Sequence, residues 1–384
     1  MKKAVVLLED GKYFEGTSCG APGERVGEIV FNTSMAGYQE ILTDPSYKGQ
    51  VVTMTYPLIG NYGVNPADPE SSGPQVEGFI MRECCRRPSN WRATQSLPEY
   101  LAEHAIVGME DVDTRAVTLH IRSLGAMKCI ISSEDTDLKS LQDRLDAAPG
   151  IVGIDLVREV TCTEPYCWES ELPALGAGIL PESPQDLKSQ LHVVAYDCGI
   201  KRNILRILGA LGCRVTVEPA DTGATEVRRL EPDGIFISNG PGDPAAVTAT
   251  IEAAKDLLGF RPIFGICLGH QILGMAFGGF TYKLKFGHRG ANQPVKDLQR
   301  GNILITAQNH GFAVDLDSVA GVADQTFINL NDRTSEGMRH KAQAVYSVQF
   351  HPEDSPGPHD AVYLFGDFIR DMCAERVERG EAGA

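Results

Sequence analysis

Residues 262–271 read Pro262-Ile263-Phe264-Gly265-Ile266-Cys267-Leu268-Gly269-His270-Gln271, and this stretch decides the fold of the second half of the chain. Its apolar start predicts a strand over 262–266, and the following spacing predicts a helix from Gln271 to Phe277. Cys267 occupies the turn between them, with a glycine two residues to either side. Strand, nucleophilic residue and helix in this order form the layout of a nucleophile elbow.

The geometry of a nucleophile elbow limits the size of the neighbouring residues and the surroundings of the nucleophile. The sharp turn brings backbone segments close together, so small residues two positions to either side are a steric requirement. The cysteine side chain is then expected to be exposed at the sheet edge, near the positive end of the helix, which favours the thiolate. Taken alone, the stretch is also compatible with a buried cysteine in an ordinary strand–turn–helix.

A second motif supplies the base that a thiol nucleophile needs, because a free cysteine has a pKa of about 8.5 and is mostly protonated at neutral pH. Val348-Gln349-Phe350-His351-Pro352-Glu353 predicts a short strand ending at the histidine. Glu353 is near enough in sequence to hydrogen-bond the imidazole and orient it. A surface turn is the alternative for this motif alone. Combined with the elbow, it predicts a triad of Cys267, His351 and Glu353.

Residues 238–244, Ser-Asn-Gly-Pro-Gly-Asp-Pro, form a third motif at a predicted strand end. Asp243 is a natural helix N-cap and Pro244 a natural first helical residue. The two glycines around the proline present backbone N–H groups, as an oxyanion hole requires, and we expect the N–H groups of Gly242 and Leu268 to form it.

A fourth, polar segment covers residues 307–312 after a predicted strand over 302–306. An ordinary loop is the alternative interpretation of this segment. His270 and His310 are expected to be structural, because the predicted triad already has its base.

Length and element order predict two domains, since 384 residues exceed one typical domain. The second domain alternates strands and helices, which predicts a mostly parallel sheet covered by helices on both faces. Linker-like residues over 164–190 place the boundary after residue 188, giving an α+β domain over 1–188 and an α/β domain over 189–384. The predicted strands of the first domain are 3–9, 12–15, 27–32, 50–56 and 76–82, and its predicted helices are 113–123 and 135–147. The predicted strands of the second domain are 191–196, 214–217 and 234–238, and its predicted helices are 204–211 and 244–258.

Composition excludes several classes of function. A formal net charge of −16 disfavours nucleic acid and anionic membrane surfaces as partners. The ten cysteines form no C-x-x-C pair, so we expect no metal site and reduced thiols in a cytoplasmic protein. Neither a G-x-x-x-x-G-K-[ST] phosphate loop nor a G-x-G-x-x-G fingerprint occurs, so no cofactor is expected in this chain.

The elbow, the His-Pro-Glu motif and the Gly-Pro-Gly-Asp-Pro turn together resemble the class I (triad) glutamine amidotransferases. Further segments resemble one family among them, the small, glutamine-hydrolysing subunits of carbamoyl-phosphate synthetase. The resemblance covers nearly the whole chain and is thinnest over 164–190 and 320–345. The segments that carry it are residues 37–40, 43–47, 55–61, 113–115, 197–203 and 285–290.

The resemblance implies hydrolysis of L-glutamine to glutamate and ammonia through a γ-glutamyl thioester on Cys267. The first domain would associate with a large subunit, which would use the ammonia, bicarbonate, ATP and Mg to make carbamoyl phosphate for arginine and pyrimidine synthesis. Two alternatives stay open: a glutaminase subunit of another amidotransferase, or a catalytically silent regulatory partner. Carried over by motif, the residues that would hold glutamine are Ser46, Gly240, Gly242, Leu268, Gln271, Asn309, Gly311 and Phe312.

Overall fold

The computed structural model describes residues 2–169 and 190–380. The chain divides into two compact units, residues 1–156 with 284–290 and residues 157–283 with 291–384. The predicted boundary after residue 188 lies outside the described residues. Residues 157–169 group with the second unit, where the short strand Tyr166–Cys167 pairs with residues 216–217.

The first unit is built on a closed barrel with the strand order β1-β2-β8-β6-β4-β3-β9, accompanied by a small sheet of β5 and β7. The predicted mixed α+β character of this part is confirmed. Its described strands are β1 (Lys3–Leu8), β2 (Tyr13–Ser18), β3 (Glu24–Asn32), β4 (Gln50–Met54), β5 (Leu58–Ile59), β6 (Gly78–Ile80), β7 (Glu83–Cys84), β8 (Val107–Glu110) and β9 (Met127–Ser132), and its helices are α1 (Tyr38–Thr43), α2 (Leu97–Glu103), α3 (Thr114–Leu124) and α4 (Leu138–Ala147).

Strand β1 packs against apolar side chains on both of its faces. Its apolar run is buried on both faces, because successive side chains of a strand point in opposite directions. Val6 and Leu8 belong to one apolar cluster, whereas Val5 and Leu7 pack with the buried face of α4. A strand with two buried faces therefore accounts for the unbroken apolar sequence near the N-terminus.

Residues 284–290 belong to the first unit although they are distant from it in sequence. The backbone N–H of Ala126 donates to the carbonyl oxygen of Lys285 at 2.8 Å, and that of Thr33 to Arg289 at 3.2 Å. The rings of Phe31 and Phe286 lie 5.8 Å apart. Backbone pairing and an aromatic contact together hold this segment in the unit.

The described part of the second unit forms a sheet of 10 strands in the order β10-β12-β11-β13-β14-β19-β18-β17-β15-β16. None of the described helices of the chain is long and apolar enough to cross a membrane. The described strands are β10 (Tyr166–Cys167), β11 (His192–Asp197), β12 (Arg214–Pro219), β13 (Gly234–Ile237), β14 (Ile263–Ile266), β15 (Thr281–Asp297), β16 (Ile303–Val314), β17 (Ala323–Asn329), β18 (Ser335–His340) and β19 (Val345–Val348), and the helices are α5 (Arg202–Ala210), α6 (Ala224–Arg229), α7 (Thr248–Leu257), α8 (Leu268–Ala276) and α9 (Tyr363–Glu378).

The central part of this sheet is parallel, as predicted. Strands β12, β11, β13, β14 and β19 are all paired in parallel with their neighbours. The carboxyl ends of parallel strands lie at one edge of a sheet, where ligand sites of such folds form. Residues 238–243, 267 and 349–353, which belong to three of the predicted motifs, follow the ends of β13, β14 and β19. Residues 198–201 follow the end of β11 at the same edge.

Two local predictions differ from the structure, and one alternative that the sequence left open is decided by it. The predicted helix over 244–258 is a 3-10 turn, Pro244–Ala246, followed by α7 from Thr248. Helix α8 begins at Leu268, directly after the elbow, instead of at Gln271. The polar residues 307–312, for which a loop was the alternative, continue β16 without a break.

Phe264 is the centre of the aromatic core of the second unit. Its ring stacks on Tyr346 at 4.6 Å and meets Phe236 edge-on at 5.5 Å and Phe365 at 5.7 Å. The side chain is fully buried.

Replacing Phe264 with alanine is expected to lower the free energy of unfolding by about 3–5 kcal/mol, because it leaves a cavity among three aromatic rings. Phe280→Ala is the control, since Phe280 is 56% exposed, and we expect a change within about 0.5 kcal/mol. Urea titration followed by circular dichroism measures both. Equal losses in the two variants would contradict the assigned core.

Candidate active site

Cys267 sits at a strained backbone position between β14 and α8. Its φ of 54° and ψ of −102° are unusual for a residue with a side chain. The backbone N–H donates to the carbonyl oxygen of Val348 at 2.8 Å, which continues the pairing of β14 with β19. The sheet therefore holds the cysteine in place on one side and the helix turns away on the other.

The glycines on either side of Cys267 are required by close packing, as predicted. A Cβ on Gly269 would lie 2.1 Å from the carbonyl oxygen of Ile237, and one on Gly265 would lie 2.7 Å from the carbonyl oxygen of Gly269. Carbon and oxygen do not approach this closely without a bond. Any larger residue would force α8 away from the sheet.

The prediction that the Cys267 side chain is exposed is wrong, because the residue is only 2% exposed. Its Sγ lies 3.6 Å from the carbonyl oxygen of Asn309. Asn309 belongs to the extended part of β16, which the sequence left open as a loop. The strand brings this backbone against the sulfur and thereby covers it.

His351 follows β19 and is held by backbone and side-chain bonds. Its N–H donates to the carbonyl oxygen of Ala307 at 2.8 Å, and its Nδ1 lies 2.6 Å from Oε1 of Glu353. The remaining ring nitrogen, Nε2, is buried without a conventional hydrogen-bond partner among the described residues. The Cys267 side chain is close enough to perturb the imidazole electrostatically.

Lys201 is a functional residue that sequence reasoning missed. Its Nζ lies 2.9 Å from Oε1 of Glu353 and also donates to the carbonyl oxygen of Asp354. Both partners of the ion pair are buried, with the side chains of Lys201 and Glu353 3% and 0% exposed. Its position in the sequence could have indicated a place in the site, because this lysine follows the predicted end of β11 at the edge where the other motifs begin.

The electrostatics of the site follow from this buried arrangement. Burial by itself would lower the pKa of His351, but the Glu353 carboxylate and the Cys267 side chain outweigh it and raise the pKa to about 10. Burial would likewise raise the pKa of Glu353, but Lys201 and His351 lower it to about 2. Near neutral pH, the histidine is therefore an imidazolium and the glutamate a carboxylate.

The Gly-Pro-Gly-Asp-Pro turn lies after β13. Oδ1 of Asp243 accepts from the N–H of Ala245 at 3.0 Å, so Asp243 is the predicted N-cap, although it caps a 3-10 turn. A Cβ on Gly240 would lie 2.1 Å from the carbonyl oxygen of Cys198, and Gly242 has a φ of 87°. Both glycines are therefore required by the backbone path.

Leu268 is the first residue of α8, so its N–H is one of those that a helix leaves without an internal acceptor. Gln271 lies one turn further and is buried. Its Nε2 donates to the carbonyl oxygen of Phe312 at 2.8 Å and to Oε1 of Gln349 at 3.0 Å. Gln271 thus fixes β16 and the segment after β19 against α8.

The other predicted glutamine-binding residues fall into two groups. Asn309, Gly311 and Phe312 lie on β16 in the second unit. Ser46 lies in the first unit, buried in the 3-10 turn Pro45–Tyr47, where its N–H donates to Oδ1 of Asp44 at 2.9 Å.

His270 and His310 have structural partners. Nδ1 of His270 lies 2.9 Å from the Ser347 hydroxyl, and burial lowers the pKa of this histidine to about 3. Nδ1 of His310 lies 2.7 Å from the carbonyl oxygen of Phe312. Nε2 of His310 also lies 3.2 Å from Oε1 of Gln308, so both ring nitrogens of His310 have partners within the core of the second unit.

The arrangement contains the parts of a cysteine nucleophile site. A sulfur at a strained turn lies beside an imidazolium that a carboxylate orients, and the first N–H of α8 follows the sulfur. Among the described residues, no cluster with metal-ligand spacing includes Cys267, His351 or Glu353. The chemistry that the geometry supports is attack of the sulfur on a carbonyl carbon with proton transfer by His351.

Comparison with known proteins matches both parts of the chain. Residues 6–131 match the family "Carbamoyl-phosphate synthase small chain, CPSase domain", and residues 194–371 match "Glutamine amidotransferase class-I". A carbamoyl phosphate synthase small chain of Syntrophotalea carbinolica is 56% identical over 98% of this chain and 100% of the relative. One of Nostoc sp. is 54% identical over 96% of this chain and 95% of the relative.

Gly269→Ala is expected to lower the free energy of unfolding by about 1–3 kcal/mol, because the added methyl group collides with the carbonyl oxygen of Ile237. Gly209→Ala is the matched control, since this glycine is also helical and its Cβ would be 3.8 Å from the nearest atom, on Trp168. The control should gain up to about 1 kcal/mol from reduced backbone entropy. Urea titration of both proteins measures the difference, and a stable Gly269→Ala protein would contradict the close approach.

Glu353→Gln is expected to lower the pKa of His351, because it removes the carboxylate that stabilises the imidazolium. In the wild type this pKa is about 10, above the ordinary 6.5. The stability that the bound proton contributes is therefore complete below about pH 6.5 and is lost as the pH rises through about 10. An NMR titration of ¹³C-labelled histidine measures the shift.

His270 is the internal control for this titration, because burial keeps it neutral and Glu353 is not its partner. Its resonance should not change between about pH 5 and about pH 10 in either protein. An unchanged His351 titration in Glu353→Gln would contradict the assigned pairing.

Proposed function

Because the chain belongs to the carbamoyl phosphate synthase small chain family, we propose that its second unit hydrolyses L-glutamine to glutamate and ammonia at Cys267. The observation that supports this proposal is a buried series of contacts. Lys201 pairs with Glu353, Glu353 pairs with His351, and the imidazole of His351 lies beside the Cys267 sulfur. The chain is an enzyme of the glutamine amidotransferase class and a part of glutamine-hydrolysing carbamoyl phosphate synthase.

The first step forms a γ-glutamyl thioester. Nε2 of His351 already carries a proton near neutral pH, and the Cys267 sulfur attacks the side-chain amide carbon of glutamine beside this imidazolium. Negative charge then develops on the amide oxygen, which the N–H groups of Gly242 and Leu268 bind. One donor of this kind is worth about 3–4 kcal/mol in the transition state.

The second step releases both products. The His351 imidazolium protonates the amide nitrogen, so that ammonia leaves and the thioester remains on Cys267. His351, now neutral, accepts a proton from water, which attacks the thioester carbon and frees glutamate. Glu353 stabilises the imidazolium in both steps, and Lys201 keeps Glu353 ionised.

Residues around the sulfur would hold glutamine, and the family motif assigns Ser46 to the same role. Gly240, Gly242 and Leu268 would bind its amide through backbone groups. Gln271, Asn309, Gly311 and Phe312 would line the pocket from α8 and β16. The role of Ser46 is carried over from the family motif alone. These roles rest on the family motif that each residue matches.

The ammonia is transferred to a large subunit, with which the first unit associates. That partner holds ATP and Mg and combines ammonia with bicarbonate to form carbamoyl phosphate for arginine and pyrimidine synthesis. The missing phosphate loop in this chain supports such a division. A cytoplasmic location, and the absence of nucleic-acid and membrane partners, belong to the same proposal and are supported by the net charge of −16 and ten free cysteines.

Cys267→Ser is expected to reduce glutamine hydrolysis by at least about 10³-fold, because a serine hydroxyl is a far weaker nucleophile than the cysteine sulfur. Glutamate release in the presence of the large subunit measures this activity. Acid-quenched wild type should carry a γ-glutamyl adduct on Cys267 by peptide mass spectrometry.

Cys373→Ser is the control, because this half-buried cysteine lies on α9 away from the elbow. It should retain hydrolysis, and both variants should co-purify with the large subunit and support carbamoyl phosphate synthesis from added ammonia. Normal glutamate release by Cys267→Ser would overturn the nucleophile assignment.

A further inference from the structure

A second pair of thiols lies in the first unit. Cys19 directly follows β2, and Cys84 ends the two-residue strand β7. The two Sγ atoms and a carboxylate oxygen of Glu110 all lie within 4.8 Å of one another, and all three residues are buried. We call Cys19 and Cys84 the thiol pair.

Arg86 lies between the thiol pair and the surface. Its Nη1 is 3.6 Å from Sγ of Cys19, and its guanidinium forms an ion pair with Glu110. The Arg86 side chain is 48% exposed, so it contacts solvent on one side and Cys19 of the thiol pair on the other. The N–H of Cys84 donates to Oε2 of Glu110 at 3.2 Å, which fixes the carboxylate beside the pair.

The two sulfurs are chemically unequal. A hydrogen bond from Cys84 lowers the pKa of Cys19 against the effect of burial, and Arg86 lowers it further. The same hydrogen bond, together with burial, raises the pKa of Cys84. By contrast, burial raises the pKa of Cys129, which lies in the same unit. A cysteine with a lowered pKa beside a cysteine with a raised pKa is the arrangement of an attacking and a resolving cysteine.

We propose that Cys19 and Cys84 are a redox-active pair that hydroperoxides convert into a reversible disulfide, with Cys19 attacking first and Cys84 resolving. A hydroperoxide is the class of oxidant that suits this site. Cys19 is only 2% exposed, so the oxidant has to be a molecule small enough to reach its sulfur past the Arg86 side chain. A bulky disulfide such as oxidised glutathione fits such a site poorly.

The reaction balances in two steps. The Cys19 thiolate attacks one oxygen of hydrogen peroxide, the O–O bond breaks, and the departing hydroxide takes up a proton to become water, which leaves a sulfenic acid. The Cys84 sulfur then attacks Sγ of Cys19 and expels hydroxide, which takes the Cys84 proton and leaves as water. Two thiols and one peroxide thus give one disulfide and two waters, and two electrons pass from sulfur to oxygen.

Local structure allows the bond to form. A disulfide requires a sulfur–sulfur distance of about 2.05 Å, so the two side chains must move together from their present separation. Cys84 lies in the shorter of the two strand segments, since β7 has two residues and pairs only with β5 among the described residues. Cys19 is held more firmly by its N–H bond to the carbonyl oxygen of Gly108 at 2.8 Å.

A metal site is the competing use of these three residues. Zinc in structural sites takes four ligands, whereas the cluster here offers three. The Arg86 guanidinium also occupies the space beside Cys19 and Glu110 and would repel a divalent cation. The same positive charge favours a thiolate, so the surroundings fit redox chemistry better.

The test treats the full wild-type chain with hydrogen peroxide, alkylates the remaining thiols under denaturing conditions and maps the peptides by mass spectrometry. We expect a Cys19–Cys84 linkage with a chain mass lower by about 2 Da for that bond, reversed by dithiothreitol. In Cys84→Ala, Cys19 should instead accumulate as a sulfenic acid that dimedone traps. Arg86→Gln should slow oxidation of Cys19 by about fivefold or more.

Cys129→Ala is the matched control, a buried cysteine of the same unit, and should leave the rate of linkage unchanged. The wild-type map needs no substitution, so a variant that fails to fold does not decide the result. If Cys19 and Cys84 remained alkylatable at peroxide doses that oxidise the exposed Cys167, the proposal would be wrong. One equivalent of zinc bound to the untreated chain and lost in Cys84→Ala would also overturn it.

Discussion

The close approach of helix α8 to the central sheet is the constraint on which the site of the second unit depends. A Cβ at position 269 would come within 2.1 Å of the Ile237 carbonyl oxygen, so glycine is what permits the contact. Because the helix starts so near the sheet, the chain must turn sharply at Cys267, and this residue takes a positive φ of 54°. The sulfur and the N–H of Leu268 are thereby fixed at the sheet edge.

Buried charge is the second determinant of the site. Moving an isolated carboxylate out of water is costly, and removal of one partner from a buried ion pair typically costs about 3–5 kcal/mol. Glu353 avoids that cost through two partners, Lys201 and His351, at 2.9 and 2.6 Å. The same contacts keep His351 protonated and oriented. Stability and reactivity therefore depend on the same three side chains, which come from the ends of β11 and β19.

Sequence patterns predicted the elements whose burial follows a regular period. The continuous apolar runs of β11, β13 and β14 are buried on both faces, so hydrophobicity alone identified them. Strand β16 broke that rule, because residues 308–310 are polar yet buried. The side chains of Gln308 and His310 have local partners: Gln308 Nε2 donates to the Thr306 hydroxyl at 3.2 Å, and His310 Nδ1 lies 2.7 Å from the carbonyl oxygen of Phe312. Polarity there indicates internal hydrogen bonds instead of solvent.

By itself, the sequence determined the order of elements, the parallel sheet and the three motifs that carry the chemistry, because each depends on short-range spacing. Closure of the first unit into a barrel, burial of Cys267 and recruitment of Lys201 were decided by tertiary structure. Lys201 and Glu353 are 152 positions apart, and no local pattern encodes a contact over that distance. Only the shared edge of the sheet brings them together, since parallel pairing places all four strand ends side by side.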